Sequence, residues 1–294
     1  MPPGSGQEAL DRLIRMLALE EVDRDFYLAQ SPSGKGRLFG GLVAAQAAMA
    51  AMSTVEDPDS ALHSLHAYFL RPGSHGKPLR LVVDRIRDGR TFTTRRVVVH
   101  QGGEAIFNLS ASFARPETGI SHQAEMPDAP PPEEAPDWET LRAEMLGTPG
   151  RIRPQPLEAR TCDPDDAHGS PQAPVKRVWL RPAGKFPDDP RLHTALVIYA
   201  SDRTLLSTAS RPHGLPWGKR MVASLDHAVW LHRAPPRFDD WILYASESPA
   251  AHAARGLVHG AMYSVADRVR FASVSQEGLI RVPRARGPAG DHAA

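Results

Sequence analysis

Three polar side chains, Asp202, Ser224 and Gln276, could do chemistry together. Asp202 closes the run Leu196-Val197-Ile198-Tyr199-Ala200-Ser201-Asp202. Ser224 opens Ser224-Leu225-Asp226-His227-Ala228-Val229-Trp230-Leu231-His232, and Gln276 lies in Ser275-Gln276-Glu277-Gly278-Leu279-Ile280-Arg281. A carboxylate, a hydroxyl and an amide are a set suited to holding a water against an ester-like carbonyl. The carboxylate can take a proton from the water while the other two keep it in line. Burying a carboxylate is costly unless it is paired or faces a cleft. Asp202 therefore faces a cleft, pairs with Arg203 or another arginine, or sits at the wet end of its helix. Singly, Ser224 and Gln276 read as ordinary strand residues; beside Asp202 they read as parts of one site.

Other chemistries find less footing. No Gly-x-Ser-x-Gly elbow and no His-Glu-x-x-His pair occurs. Gly34-Lys35-Gly36-Arg37-Leu38-Phe39-Gly40-Gly41 looks like a phosphate loop but lacks Gly-Lys-Ser/Thr and the dinucleotide-binding glycine spacing. His63 and His66 fall in a strand-like run and point to opposite sides. Asp226 and His227 could form an acid/base pair, but strand neighbours face apart, so one of them reads as structural. The lone Cys162 lies in a polar stretch without metal-ligand spacing and reads as an exposed or loop thiol; no disulfide within the chain is possible.

The elements that must position the trio come in a repeated order. A short amphipathic helix over 9–19 carries Leu10, Leu13, Ile14 and Leu17. A helix over 39–52 follows, apolar nearly all round and therefore buried on most sides. Its opening Gly40-Gly41 either lets a ligand approach the backbone or allows tight helix–sheet packing. Backbone N–H groups at such a helix start can stabilise an oxyanion. Strand-like runs come next, Leu62 to Leu70, Leu79 to Ile86, Phe92 to Gln101 and Ala105 to Phe113, with a hairpin turn at Gln101-Gly102-Gly103-Glu104. A second buried helix is expected over 192–207, then strands from Met221 to Leu231, Trp241 to Glu247, Gly256 to Ser264 and Arg268 to Gln276. Helix-then-strands twice is an internal duplication of an α+β pattern. Ser110-Ala111-Ser112-Phe113 matches Ser273-Val274-Ser275-Gln276, so an apolar ring in one half stands where an amide stands in the other. An alanine near Ala48 takes the place of Asp202. That asymmetry predicts one active centre per chain, built mainly from C-terminal residues.

Between the halves, residues 116–190 hold 15 of the 28 prolines. Such a density forbids long regular elements, and the span reads as a connector with one short helix, Trp138 to Met145. The expected division is an N-terminal unit over 1–115, the connector over 116–190, a C-terminal unit carrying the site over 191–283 and a flexible tail over 284–294. Lys plus Arg number 35 and Asp plus Glu 34, a net charge of +1. Nothing in that balance attracts nucleic acid or an anionic surface. No secretory signal and no apolar run of spanning length is apparent, which fits a soluble, cytoplasmic protein without membrane insertion.

Several segments together resemble the acyl-CoA thioesterase II (TesB-like) family: Leu38-Phe39-Gly40-Gly41 with Gln46, His122-Gln123 with Met126-Pro127, Ser201-Asp202, Leu225-Asp226-His227 with Trp230 and His232, Ala254-Arg255-Gly256, and Gln276-Glu277-Gly278. The resemblance implies a double hot-dog fold, two tandem units each wrapping an antiparallel sheet around a central helix. It implies hydrolysis of fatty acyl-CoA to free fatty acid and CoA by a water held by Asp202, Ser224 and Gln276, with no cofactor and no metal. Ser224 stands where the family commonly has threonine; the hydroxyl is kept and the methyl that restricts its rotamer is lost. Gly40, Gly41, His66 and Arg255 are expected to contact the substrate. A homodimer or higher homo-oligomer is expected as well. Two other readings suit the fold, a non-catalytic acyl-thioester-binding protein and an enoyl-CoA hydratase.

Overall fold

A capping box starts the first helix. Ser5 Oγ accepts from the Glu8 N–H at 3.2 Å, and the Glu8 carboxylate accepts from the Ser5 N–H at 3.0 Å. The helix, α1 (Gly6–Leu17), buries Leu10, Leu13 and Leu17. Two strands follow, β1 (Glu20–Asp23) and β2 (Phe26–Ala29). At four residues each they carry too little periodicity to be read from sequence. The alanine-rich stretch forms α2 (Gly40–Ser53), buried on nearly every side as its composition requires. Its Gln46 is fully buried; the side-chain amide donates at 2.8 Å to the carbonyls of both Met16 and Gln30, tying the end of α1 and the chain after β2 to the central helix. Strands β3 (Ala61–Phe69), β4 (Leu79–Asp88), β5 (Phe92–Gln101) and β6 (Glu104–Ala114) complete the first half. Gly102 and Gly103 turn the β5–β6 hairpin at φ 62° and 91°, values suited to glycine.

This architecture comes from a computed structural model, which describes residues 5–150, 152–166, 168–215, 220–233 and 236–282. The expected tail over 284–294 lies outside the described residues. The second half contains α3 (Trp138–Met145), β7 (Leu157–Thr161), β8 (Val175–Pro182) and α4 (Pro190–Ser201). A 3-10 segment over Leu205–His213 comes next, then β9 (Met221–Ser224), β10 (Asp226–Leu231), β11 (Ile242–His252), β12 (Arg255–Ser264) and β13 (Arg270–Arg281).

The strand order is β1-β2-β4-β5-β6-β3-β10-β13-β12-β11-β8-β7, with β9 on β13 off that path. It reads alike from both ends once each first-half strand is exchanged for its counterpart. At the centre β3 and β10 pair antiparallel, Ala67 opposite His227 and Leu65 opposite Val229. This is the double hot-dog, two curved sheets merged along one seam around α2 and α4. Among the described residues no helix is long and apolar enough to cross a membrane.

Three expectations need correction. The span 116–190 carries two strands besides the expected helix: β8 pairs with β11 and β7 with β8, so the second half's sheet begins at Leu157 rather than 191. The prolines flank these strands, Pro156 before β7, Pro174 before β8 and Pro182 at its end, where no ladder is broken. The second helix ends at Ser201 rather than 207; the Asp202 N–H turns to the Ala200 carbonyl and the chain tightens toward the 3-10 segment. The run Met221 to Leu231 is two strands, because Leu225 marks the change from β9, which pairs with β13, to β10 at the seam.

Candidate active site

Asp202 is the C-cap of α4, not an interior helix residue. Its counterpart at the end of α2 is Thr54, rather than an alanine near Ala48. There the buried Arg95 donates to Thr54 Oγ1 at 2.8 Å and to the Thr54 carbonyl at 3.1 Å. A guanidinium thus fills in one half the helix end that a carboxylate occupies in the other. Phe113, matched to Gln276, points inward and is 1% exposed.

The register gathers the polar trio. Ser224 on β9 lies opposite Gly278 on β13. Gly278 and Gln276 share a strand face, since alternate residues point the same way. That face meets the end of α4. Gln276 Nε2 donates to Asp202 Oδ1 at 2.7 Å, and Ser224 Oγ donates to the same oxygen over a longer 3.3 Å. The Gly41 backbone N–H also donates to the Asp202 carboxylate. Gly41 belongs to the first turn of α2, where N–H groups lack helical partners and the helix dipole favours an anion. The site is therefore composite: the start of one central helix meets the end of the other.

Neither glycine has room for a Cβ unless a neighbour moves. A Cβ on Gly40 would come within 2.8 Å of Asp202 Oδ2, and one on Gly41 within 2.6 Å of the Tyr199 carbonyl oxygen. A cavity of about 640 Å³ opens beside the trio. Its wall is mostly apolar, with Leu38, Val43, Phe69, Leu206 and Val222, and Arg37, Arg71 and Arg220 also line it. Leu206 is carried by the 3-10 segment. That segment is anchored by Arg211, which donates to Asp165 Oδ1 at 2.7 Å and to the Asp163 carbonyl at 2.9 Å.

A family model described as acyl-CoA thioesterase matches residues 155–279, and one described as acyl-CoA thioesterase N-terminal domain matches residues 29–114. Acyl-coenzyme A thioesterase 8 of Homo sapiens is 37% identical, the match covering 96% of this chain and 92% of that protein. The chain belongs to the acyl-CoA thioesterase family. The crystal structure of an acyl-CoA thioesterase II TesB2 from Mycobacterium marinum is 38% identical, with a TM-score of 0.77 over 92% of this chain and 99% of that one. A hot dog fold protein of unknown function from Alicyclobacillus acidocaldarius, at 20% identity and TM-score 0.78, covers 92% of this chain and 98% of its own. It bears on the fold alone.

For an acyl-CoA thioesterase the electrostatics of the trio are informative. Burial pushes the Asp202 carboxyl up to about 6, against the pull of donors from Gln276, Gly41 and Ser224. The structure does not bring every expected substrate contact to the cavity. His66 is exposed on the outer face of β3, its ring edge-on to Trp230 with centroids 5.2 Å apart. Arg255 is exposed at the start of β12, its Nε 3.0 Å from Glu277 Oε1. Strand alternation puts both on the solvent side. Asp226 faces away from its neighbour as expected and accepts from the Glu277 N–H at 2.7 Å. His227 faces inward and touches Gln276, a contact that the alternation of β10 allows but that sequence alone does not assign. Cys162 lies in the loop after β7, as one of the two expected placements had it, but is half-buried, and burial raises its thiol to about 11, which leaves it protonated.

Proposed function

We propose that the chain hydrolyses the thioester of fatty acyl-CoA to free fatty acid and CoA, with a water activated by Asp202. The observation that carries this reading is the Asp202 carboxylate at the cavity wall, with Gln276 and Ser224 both donating to its Oδ1. Its other oxygen, on the Gly40 side, accepts a proton from water as the water oxygen attacks the thioester carbon. The Ser224 hydroxyl lies beside that water and can accept from it. Gln276 holds the carboxylate. The tetrahedral oxyanion is stabilised at the start of α2, where the Gly40 backbone lines the cavity. Collapse expels the CoA thiolate, which takes the proton back from Asp202. The apolar wall suits an acyl chain.

Mixing the protein with acyl-CoA and following free thiol tests the reading. Thiol release across a panel of acyl lengths is expected. Binding without release would favour a non-catalytic acyl-thioester-binding protein, and loss of the enoyl chromophore without thiol would favour a hydratase.

The carboxylate form of Asp202 is the active one. We expect kcat to rise with pH through about 6 and then level. A pH–rate profile flat from pH 4.5 to 8 would exclude Asp202 as the base.

The counterpart helix end holds Thr54 and Arg95, so one active centre per chain is expected. Titration with a non-hydrolysable acyl-CoA analogue should saturate at one equivalent; two equivalents would overturn the asymmetry. We also keep the cytoplasmic placement expected from the sequence and, on the family resemblance, a homodimer or higher homo-oligomer. Cell fractionation and light scattering test these two statements.

A further inference from the structure

A glutamine amide is nearly isosteric when flipped, and only one of its two orientations serves Asp202. With N–H toward Asp202 it donates to the carboxylate; with the carbonyl toward Asp202 it repels it. Behind Gln276 lies a buried chain of bonds that decides between them. Gln276 Nε2 is 3.1 Å from His227 Nδ1. His227 Nε2 is 2.7 Å from Ser201 Oγ, and Ser201 Oγ donates to the Ile198 carbonyl at 2.8 Å. His227 is 1% exposed, and Ser201 and Gln276 are fully buried.

The polarity of this chain follows from one end. Ile198 lies in the last turn of α4, and the Asp202 N–H that would ordinarily serve its carbonyl goes to Ala200 instead. Ser201 supplies the missing donor and so commits its single hydroxyl hydrogen. Its oxygen can then only accept, so His227 Nε2 carries the imidazole hydrogen. In the neutral ring Nδ1 is then an acceptor, and Gln276 must offer it an N–H. Burial keeps the ring neutral by lowering His227 to about 4.

We propose that His227 is a positioning residue for the hydrolytic site, fixing the Gln276 amide so that its N–H faces Asp202. The proposal rests on the reading of Asp202 and Gln276 as catalytic. The titratable and charged groups around the chain are Tyr199 on α4, Tyr244 on β11, which donates to the Ser201 carbonyl at 2.7 Å, and the Arg203–Glu139 pair at the cavity wall.

Paired variants test it. An asparagine amide can reach the place of Nδ1, whereas a glutamine amide reaches that of Nε2. His227→Asn is expected to keep kcat within about threefold, because the contact with Gln276 survives. His227→Gln and His227→Leu are expected to lower kcat on the order of tenfold with KM unchanged. In both, the acid limb of the pH profile should move upward, because Asp202 loses a donor that holds its pKa down. Equal activity in the Asn and Gln variants would overturn the proposal. So would a loss in all variants with an unmoved limb, which is what a merely structural role would give. If His227→Leu does not fold, the Asn–Gln contrast still decides. Gln276→Ala serves as the control: wild-type turnover there would remove the catalytic reading itself, whereas a fall there with wild-type kcat and limb in His227→Gln would remove the positioning role alone.

Discussion

Asp202→Asn is expected to cut kcat on the order of 100-fold or more while leaving the fold intact. Asparagine keeps the size of the side chain but cannot take a proton from water. Its amide must also choose which of the donors from Gln276, Ser224 and Gly41 it still satisfies. Steady-state thiol release at saturating acyl-CoA measures the effect, and near-normal turnover would sink the assignment.

The same substitution has a second consequence, in stability. The folded-state value for Asp202, about 6, lies above the ordinary 3.8. The group's contribution to stability is therefore full below the ordinary value and lost as pH rises through about 6. Ionised, it opposes folding. A difference of about two pH units sets a ceiling of about 3 kcal/mol, and the opening of the carboxylate onto the cavity reduces it. We expect Asp202→Asn to be more stable than the parent at pH 8 by on the order of 1 kcal/mol, with the gain gone near pH 4. Denaturant melts at the two pH values check this; a variant less stable at pH 8 would mean that the carboxylate is held for structure.

Gly41→Ala is expected to damage fold and chemistry together. The added Cβ would lie 2.6 Å from the Tyr199 carbonyl oxygen and 2.6 Å from Phe39 Cε1. The first obstacle is backbone, three residues before Asp202. Relief requires the start of α2 and the end of α4 to part, which draws the carboxylate from the Gly41 N–H and from Gln276. Overpacking of this kind costs about 2 kcal/mol, and displacement of the base lowers kcat by on the order of tenfold or more. Gly40→Ala is the informative contrast. Its Cβ would meet Phe69 Cε1 at 2.6 Å and Asp202 Oδ2 at 2.8 Å, both on side chains that can shift. Turnover should fall there with a smaller loss of stability. Gly41→Ala with parental stability would show that the helices do not touch as closely as described.

Much of the fold was legible because its period is strong. The alanine-rich α2 and the alternating strands β3 to β6 announce themselves, and the repetition of that order marks the duplication. What was not legible is short or non-local. β1 and β2 have four residues each, and β7 and β8 hide among prolines that sit at their ends. The site divides in the same way. Asp202 stands out as a carboxylate in an apolar run and Gln276 as an amide matched to Phe113, and both meet Ser224 at the end of α4. His66 and Arg255 stand out equally by motif, but the face of a strand residue depends on register, and register set them outward. His227 carried the opposite ambiguity. Its inward face is fixed by pairing opposite Ala67 at the seam, a partner about 160 positions earlier in the chain.

The palindromic strand order has an evolutionary reading. In an assembly of identical subunits every substitution is made at all symmetric positions at once, so a residue that helps one site must be tolerated at its mirror image. Joining the copies in one chain removes that coupling. The end of α4 can then hold a carboxylate that works against folding, while the end of α2 holds Thr54 and the buried Arg95, which satisfy their helix. Fusion lets one end specialise in reactivity and the other in endurance, a division of labour closed to a symmetric pair.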